Sequence, residues 1–308
     1  MKNLTLENIA RVCGGTYYGP ADKLQEEVMS VITDSRKAEE GCLFVPIVGE
    51  RVDAHKFIPQ VMEAGALATL SERVLDNADF PYIAVESSLQ AVKDIAEFYL
   101  KQLQIPVVGT FYRNRMNLPV VAVTGSVGKT STKEVIASVL EQKYHTLKTQ
   151  GNFNNELGLP LTVFRLRDGD EIAVLEMGIS DFGEMTRLAQ IARPDTCVIT
   201  NIGTCHLENL GDRDGVLKAK TEIFKYVKKN IVLNGDDDKL STVKEYNGIR
   251  PVFFGNGENA SVTCENVESR GLKGMSCDIC LKGKMAENGE FQKFHVDIPM
   301  PGRHMVSN

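Results

Sequence analysis

Apolar positions along the first hundred residues follow two periods in turn. Leu6, Ile9, Ala10 and Cys13 recur at helical spacing, which predicts a short helix that Gly14 and Gly15 stop. Four apolar runs follow, Val28–Ile32, Leu43–Ile47, Ala66–Leu70 and Tyr82–Val85, each with the length and continuity of a buried strand. Helical patterns occupy His55–Ala64 and Leu89–Gln102. From Leu118 the pattern becomes plainer, with strand-like runs at Leu118–Val123, Ile172–Glu176, Thr196–Thr200 and Ile231–Leu233, each within reach of a helical stretch. Strands that are apolar on both faces belong in a parallel sheet covered by helices on both sides. After Pro251 the runs shorten and are split by Gly and Asn, as in an antiparallel appendage. The fold class expected is therefore α/β, a small mixed N-terminal domain followed by a larger one with a mostly parallel sheet.

Periodicity breaks down across Ile105–Asn117, where Pro106 and Gly109 interrupt it, so the expected division is 1–108 and 109–308. Two domains also agree with ~150 residues per domain for a chain of 308 residues. Hydrophobic residues at 43% and charged residues at 25% describe an ordinary globular core and exclude collagen, coiled coil and disorder. Lys plus Arg number 35 against 41 Asp plus Glu, a formal charge of -6, so no broad basic surface is available for nucleic acid. The opening MKNLTLENIA carries Glu7 and lacks a signal-peptide core, and no run approaches the ~20 apolar residues of a membrane span. A cytoplasmic protein with no membrane partner is expected. Seven cysteines, an odd number thinly spread, fit reduced thiols, and Cys277-Asp-Ile-Cys280 is a lone pair inside strand-like alternation.

The strongest chemical signal is Leu118-Pro-Val-Val-Ala-Val-Thr-Gly-Ser-Val-Gly-Lys-Thr130, an apolar strand running through a glycine turn into the helical stretch Ser131–Gln142. Gly125 and Gly128 let the backbone bend so that amides converge on one point, at which the helix also aims its positive end. Thr124, Gly125, Ser126, Val127, Gly128, Lys129, Thr130 and Ser131 thus read as a cradle for ATP, with Lys129 reaching the β/γ-phosphates and the Thr130 hydroxyl meeting Mg²⁺. Val123 stands where the general pattern has its first Gly. Glu176, at the end of an apolar strand, is placed to coordinate Mg²⁺ at the edge where parallel sheets bind ligands. His206 follows a third strand end, where it is a candidate ligand or phosphate contact. Lys220 stacks at helical spacing with Val216, Ile223 and Val227, on an apolar face. It must snorkel, find a partner or lose its charge, and a neutral amine can also take up CO₂ as a carbamate. From the helix alone, snorkelling is the simpler outcome. Asn154 and Asn155, in a polar loop, offer amides that could read a sugar, a phosphate or a peptide group, although turn residues are the ordinary explanation. Ser35 and Arg36, in Thr33-Asp-Ser-Arg36, suit phosphate recognition but also fit a plain surface turn.

Taken together these stretches resemble the Mur ligases, ATP-dependent amide-bond-forming enzymes of peptidoglycan precursor synthesis. The likeness rests on Thr124-Gly-Ser-Val-Gly-Lys-Thr-Ser-Thr-Lys133, Glu176-Met-Gly178, Asn201-Ile-Gly-Thr-Cys-His-Leu-Glu208, Ala219-Lys-Thr-Glu-Ile223, Asn234-Gly-Asp-Asp237 and Pro301-Gly-Arg-His304. Gly151-Asn-Phe-Asn-Asn-Glu-Leu-Gly158 is similar to the branch that adds D-alanyl-D-alanine. Thr33–Arg36 and Gly49-Glu-Arg-Val-Asp-Ala-His55 are similar to that branch's uridine-nucleotide-binding first domain. The resemblance implies a monomeric ligase joining D-alanyl-D-alanine to UDP-N-acetylmuramoyl-tripeptide through an acyl phosphate. Ser35, Arg36, Asn154 and Asn155 would contact substrate. Lys129, Glu176, His206 and Lys220 would serve catalysis. Thr130 and Glu176 would hold one Mg²⁺, with His206 and a carbamylated Lys220 holding a second metal. Asn234 and His304 would border the adenosine. Met305 stands where the family has Asn, and the chain stops at Asn308 where a third domain would begin. The expectation is accordingly of a chain that binds nucleotides and turns over weakly or not at all. A non-catalytic nucleotide-binding protein, or a related ligase such as folylpolyglutamate synthase, is the alternative.

Overall fold

The computed structural model describes residues 1–49, 51–104, 118–283, 291–302 and 306. The chain divides into two compact units, one of Met1–Leu118 with Gln150–Asp170 and the other of Pro119–Thr149 with Glu171–Asn308.

In the first unit the apolar runs become short strands, β1 (Thr16–Tyr18), β2 (Ser30–Ile32), β3 (Cys42–Phe44), β4 (Ala68–Ser71) and β5 (Tyr82–Ala84). They form one sheet in the order β1-β5-β4-β3-β2, parallel except for β1. The helix α1 (Leu6–Val12) is capped by the Thr5 side chain, which accepts from the Asn8 N–H, and buries Leu6, Ile9 and Ala10. α2 (Ile58–Glu63) places Ile58 and Val61 against Ile32, Cys42 and Phe44, and α3 (Ser88–Gln104) is the longest helix of the unit among the described residues.

The second unit opens with β6 (Val120–Thr124), α4 (Lys129–Leu140) and β7 (Thr146–Lys148). The chain then returns to the first unit for residues 150–170, whose helix α5 (Gly158–Val163) packs on α3. The return is held by the Tyr99 hydroxyl donating to Leu166 O at 2.8 Å and by a Lys93–Glu156 ion pair at 2.8 Å. One cut in the sequence therefore does not describe the division.

Back in the second unit follow β8 (Ile172–Glu176), α6 (Glu184–Ala192), β9 (Thr196–Ile199), α7 (Leu207–Leu210), α8 (Arg213–Thr221) and β10 (Asn230–Asn234). Every residue of β8 is buried, as a strand covered on both faces requires. β11 (Val252–Phe254), β12 (Val262–Ser269), β13 (Met275–Leu281) and β14 (Gln292–Ile298) complete a nine-stranded sheet, in the order β14-β13-β12-β11-β10-β9-β6-β8-β7. The antiparallel appendage expected after Pro251 holds for β12 to β14 only. β11 pairs parallel with β10 and meets β12 in parallel at Phe254 and Val262. Strand polarity follows from the path of the connection, which a run of three residues does not reveal. Val123, Ala137, Val174 and Val198 form the core under α4.

Candidate nucleotide and metal site

β6 sits between β8 and β9, and the chain leaves it toward β7 and β8 on one side and β9 and β10 on the other. Parallel sheets bind ligands at such a reversal, beyond the C-terminal ends of the strands. β6, β8, β9 and β10 run parallel in register, so Thr124, Glu176, Ile199 and Asn234 all end on this edge.

The glycine turn leaves β6 at Gly125, with φ +145°, and enters α4 at Gly128, with φ +83°. Both values suit glycine. A Cβ on Gly125 would run into the Thr200 Oγ1, which donates to Val127 O at 2.6 Å. Asn201 fixes the tip of the loop: its main-chain O accepts from Ser126 N–H at 3.0 Å, and its Oδ1 accepts from Val127 N–H at 3.0 Å. The Ser126 Oγ in turn accepts from Gly203 N–H at 2.8 Å and from the Cys205 thiol at 3.1 Å. Two amides of the loop are thus used within the protein. The first backbone bond of the helix, Thr132 N–H to Gly128 O, leaves the amides of Gly128, Lys129, Thr130 and Ser131 ahead of it as the helix's open donors. Lys129 Nζ folds over the loop, donating to Gly125 O at 2.9 Å and Ser126 O at 3.3 Å.

Directly beside that helix end, the Thr130 hydroxyl donates to Glu176 Oε2 at 3.0 Å. Glu176 is only 2% exposed, and its N–H donates to Thr149 Oγ1 at 3.0 Å. Near it lies Lys133, which the sequence shows as the end of the Thr124–Lys133 motif without a role of its own. Lys133 is 1% exposed, donates to Thr149 O at 2.7 Å, pairs with Glu134 at 2.8 Å and lies 3.9 Å from Glu176 Oε2. Its sequence trace is the step of four residues from Lys129 and on to the buried Ala137, which sets it on an inward-facing stripe.

Lys220 does not snorkel. On α8 it is 1% exposed, and among the described residues no acceptor is bonded to its amine. Burial pushes its pKa down to about 8; the nearby Cys205 opposes this and the Lys129 charge adds to it. His206 caps the short α7 in the left-handed region at φ +56°, is 40% exposed on its side chain, and holds Nδ1 3.9 Å from Glu208. Asn234 is spent partly on structure: its amide donates to Thr200 O at 3.0 Å and its Oδ1 accepts from Asp236 N–H at 2.9 Å. Next to it opens a cavity of about 290 Å³ lined by Gly235, Phe253, Gly257, Asn259 and Ala260 among others. His304 lies outside the described residues.

The remaining site candidates belong to the first unit. Arg36 is exposed and donates through Nε and a terminal nitrogen to Asp34, at 2.9 and 2.7 Å, holding that carboxyl down at about 2. Ser35 starts the single turn that Asp34 caps. Asn155 turns its Oδ1 onto the N–H groups of Leu157 and Gly158, at 3.3 and 2.8 Å, so it shapes the loop as well as offering an amide. Asn154 lies beside it in the same loop. In the same unit His55 is buried, with Nδ1 2.6 Å from Asp53 and Nε2 accepting from Glu72 N–H at 3.0 Å, a structural use of both nitrogens.

Among the described residues no group of three or more His, Cys, Asp or Glu side chains stands together as a metal site, and no helix is long and apolar enough to cross a membrane. An ion at this edge would draw its ligands from a single carboxylate, a hydroxyl and phosphate oxygens, the donor set that suits magnesium.

Comparison with known proteins gives the family of the chain. Residues 123–308 match the Mur ligase middle domain. The UDP-N-acetylmuramoyl-tripeptide--D-alanyl-D-alanine ligase of Bacillus subtilis (strain 168) is 39% identical over 306 residues, covering 99% of this chain and 61% of the relative. Among solved structures, MurF from Acinetobacter baumannii superposes with a TM-score of 0.83 at 30% identity, over 98% of this chain and 62% of that one. MurF ligase from Thermotoga maritima in complex with ADP gives 0.74 at 31% identity, over 90% and 60%. The chain spans about three fifths of the length of the curated relatives it matches.

Proposed function

The chain belongs to the Mur ligase family, and on that premise we propose that it serves the ATP-dependent joining of D-alanyl-D-alanine to UDP-N-acetylmuramoyl-tripeptide, a cytoplasmic step of cell-wall precursor synthesis. The observation that carries this reading is the Thr130 hydroxyl bonded to the buried Glu176 at the mouth of the glycine loop. The B. subtilis relative is named for that reaction and the T. maritima structure holds ADP.

A carboxylate resists attack by an amine at neutral pH because its leaving group would be oxide. In the proposed reaction a substrate carboxylate oxygen attacks the γ-phosphorus, the bond to ADP breaks, and an acyl phosphate forms. The neutral dipeptide amine then adds to the acyl carbon, phosphate leaves with the transferred oxygen, and the nitrogen gives up one proton, which the phosphate can take. Such chemistry depends on positioning and charge neutralisation. The amides of Gly128 to Ser131 bind phosphate oxygens at the helix end. Lys129 exchanges the carbonyls of Gly125 and Ser126 for the β/γ-phosphates. Thr130 and Glu176 fit one magnesium ion, which supplies neutralisation of the transferring group when bound. Lys220, buried and with no acceptor bonded to it among the described residues, fits conversion of its neutral amine by CO₂ to a carbamate with release of one proton, which would make it, with His206, a ligand set for a second ion. Asn234 and the adjoining cavity suit the adenosine, while Ser35, Arg36, Asn154 and Asn155 are assigned to the uridine-linked substrate.

Oxygen-18 tracing tests the reaction. With the substrate carboxylate labelled and MgATP and D-alanyl-D-alanine present, each phosphate released should carry one labelled oxygen. Unlabelled phosphate, or release at the same rate without the tripeptide substrate, would mean a nucleotidase instead. Nucleotide binding with no release under any combination would favour the binding-only reading.

A further inference from the structure

We propose that Lys133 is a positioning residue that makes divalent-ion binding depend on the nucleotide, by holding a fixed positive charge beside Glu176. The inference rests on the reading of Thr130 and Glu176 as protein ligands of the ion and adds a rule for when the ion binds.

Thr130 and Lys133 meet the Glu176 Oε2 in different ways. That oxygen accepts from the Thr130 hydroxyl at 3.0 Å, and the Lys133 ammonium, one turn along α4, stands 3.9 Å away. That ammonium is not free to withdraw. It is buried, donates to Thr149 O at 2.7 Å and pairs with Glu134 at 2.8 Å. Thr149 also receives the Glu176 N–H on its side-chain oxygen, so one residue holds the ammonium and the Glu176 main chain. The Lys133–Glu134 contact holds the Glu134 carboxyl below the usual carboxylate range.

The consequence is electrostatic. Among the described residues one carboxylate, Glu176, is assigned to the ion, and a neighbouring cation weakens its pull on a free divalent ion. In a partly buried site, where charges are weakly screened, one like charge a few ångströms from the ion lowers its affinity by about tenfold or more. The triphosphate brings several oxyanions, which outweigh one ammonium. The ion therefore stays off the empty site and enters with the nucleotide, and Thr130 and Glu176 are kept together until it does.

Manganese serves as the probe, because free Mn²⁺ is counted directly by electron paramagnetic resonance. In the unmodified chain Mn²⁺ alone should bind weakly, and saturating ADP should strengthen its binding by tenfold or more. Lys133→Met, of similar length but uncharged, should bind Mn²⁺ alone about tenfold more tightly and lose most of the strengthening by ADP; Lys133→Arg should behave like the unmodified chain. Glu134→Gln sits on an exposed partner and should not threaten folding. It leaves the ammonium less compensated, so Mn²⁺ binding with ADP should weaken about threefold, which keeps the test valid if Lys133→Met does not fold. Unchanged Mn²⁺ affinity in a folded Lys133→Met, or in Glu134→Gln, overturns the role of Lys133 while the ion site stands. Absence of any coupling between Mn²⁺ and ADP in the unmodified chain overturns the ion site itself.

Discussion

Replacing Lys220 by methionine should stabilise the folded chain at neutral pH by about 3 kcal/mol, on the scale of 1.36 kcal/mol per pKa unit, while removing the amine proposed to form a carbamate. The amine is 1% exposed and burial holds its pKa at about 8, below the ordinary 10.5. Below about pH 8 the lysine is protonated in both the folded and the unfolded chain, and the whole cost of burying the charge is present. Between about 8 and 10.5 the unfolded chain keeps a proton that the folded chain has released, so the stability of the unmodified protein climbs with pH. Methionine has no such dependence. The advantage of the variant should therefore be largest at pH 7 and shrink by pH 10, as read by urea denaturation at the two values. Labelled bicarbonate should give a carbamate carbon signal in the unmodified chain only. A variant less stable at pH 7 would mean that the amine has a partner in solution and is not held for CO₂.

Gly125→Ala should lower stability by about 2 to 5 kcal/mol and abolish nucleotide binding, because backbone strain and overpacking act together there. At φ +145° a side chain is strained whatever the space around it, and the new methyl would overlap Thr200 Oγ1. Turning Thr200 away would break its bond to Val127 O, one of those that shape the loop tip. Gly151 is the matched control. It has φ +49°, nothing lies within 4 Å of an added Cβ, and Gly151→Asn should cost less than about 1 kcal/mol, since Asn tolerates that region. Equal effects at the two glycines would show that the loop at Gly125 is not held as described.

Much of the parallel sheet was legible because its strands are apolar on both faces; Ile172–Glu176 is read with its ends unchanged. β1 and β7, three residues each, are too short for a period to show. The return of residues 150–170 to the first unit is set by contacts such as Tyr99 to Leu166, between residues far apart in the chain. At the site, the glycine loop and Glu176 could be read from a strand followed by a turn and a helix. Lys220 could be suspected from its helical face, but whether it snorkels or stays buried depends on how α8 packs. Lys133 and Asn201 stand in the motifs, but their roles were not legible, because these lie in what their side chains meet across strands, at Thr149 and Glu176 and at Val127. Arg36 and Asn155 show the converse: residue types suited to ligands also bond to their own neighbours, Asp34 and Gly158.

The central claim is that the open amides of Gly128 to Ser131, Lys129 and the Thr130–Glu176 pair together hold the phosphates of ATP with a divalent ion. Isothermal titration of the chain with ATP, with and without Mg²⁺ and in parallel on Lys129→Met, measures this directly. Saturable binding of one ATP is expected, at least tenfold tighter with Mg²⁺ and undetectable in the Lys129→Met variant with its fold intact. Binding that is unaffected by Mg²⁺ and survives the loss of Lys129, or no binding at all, would contradict it.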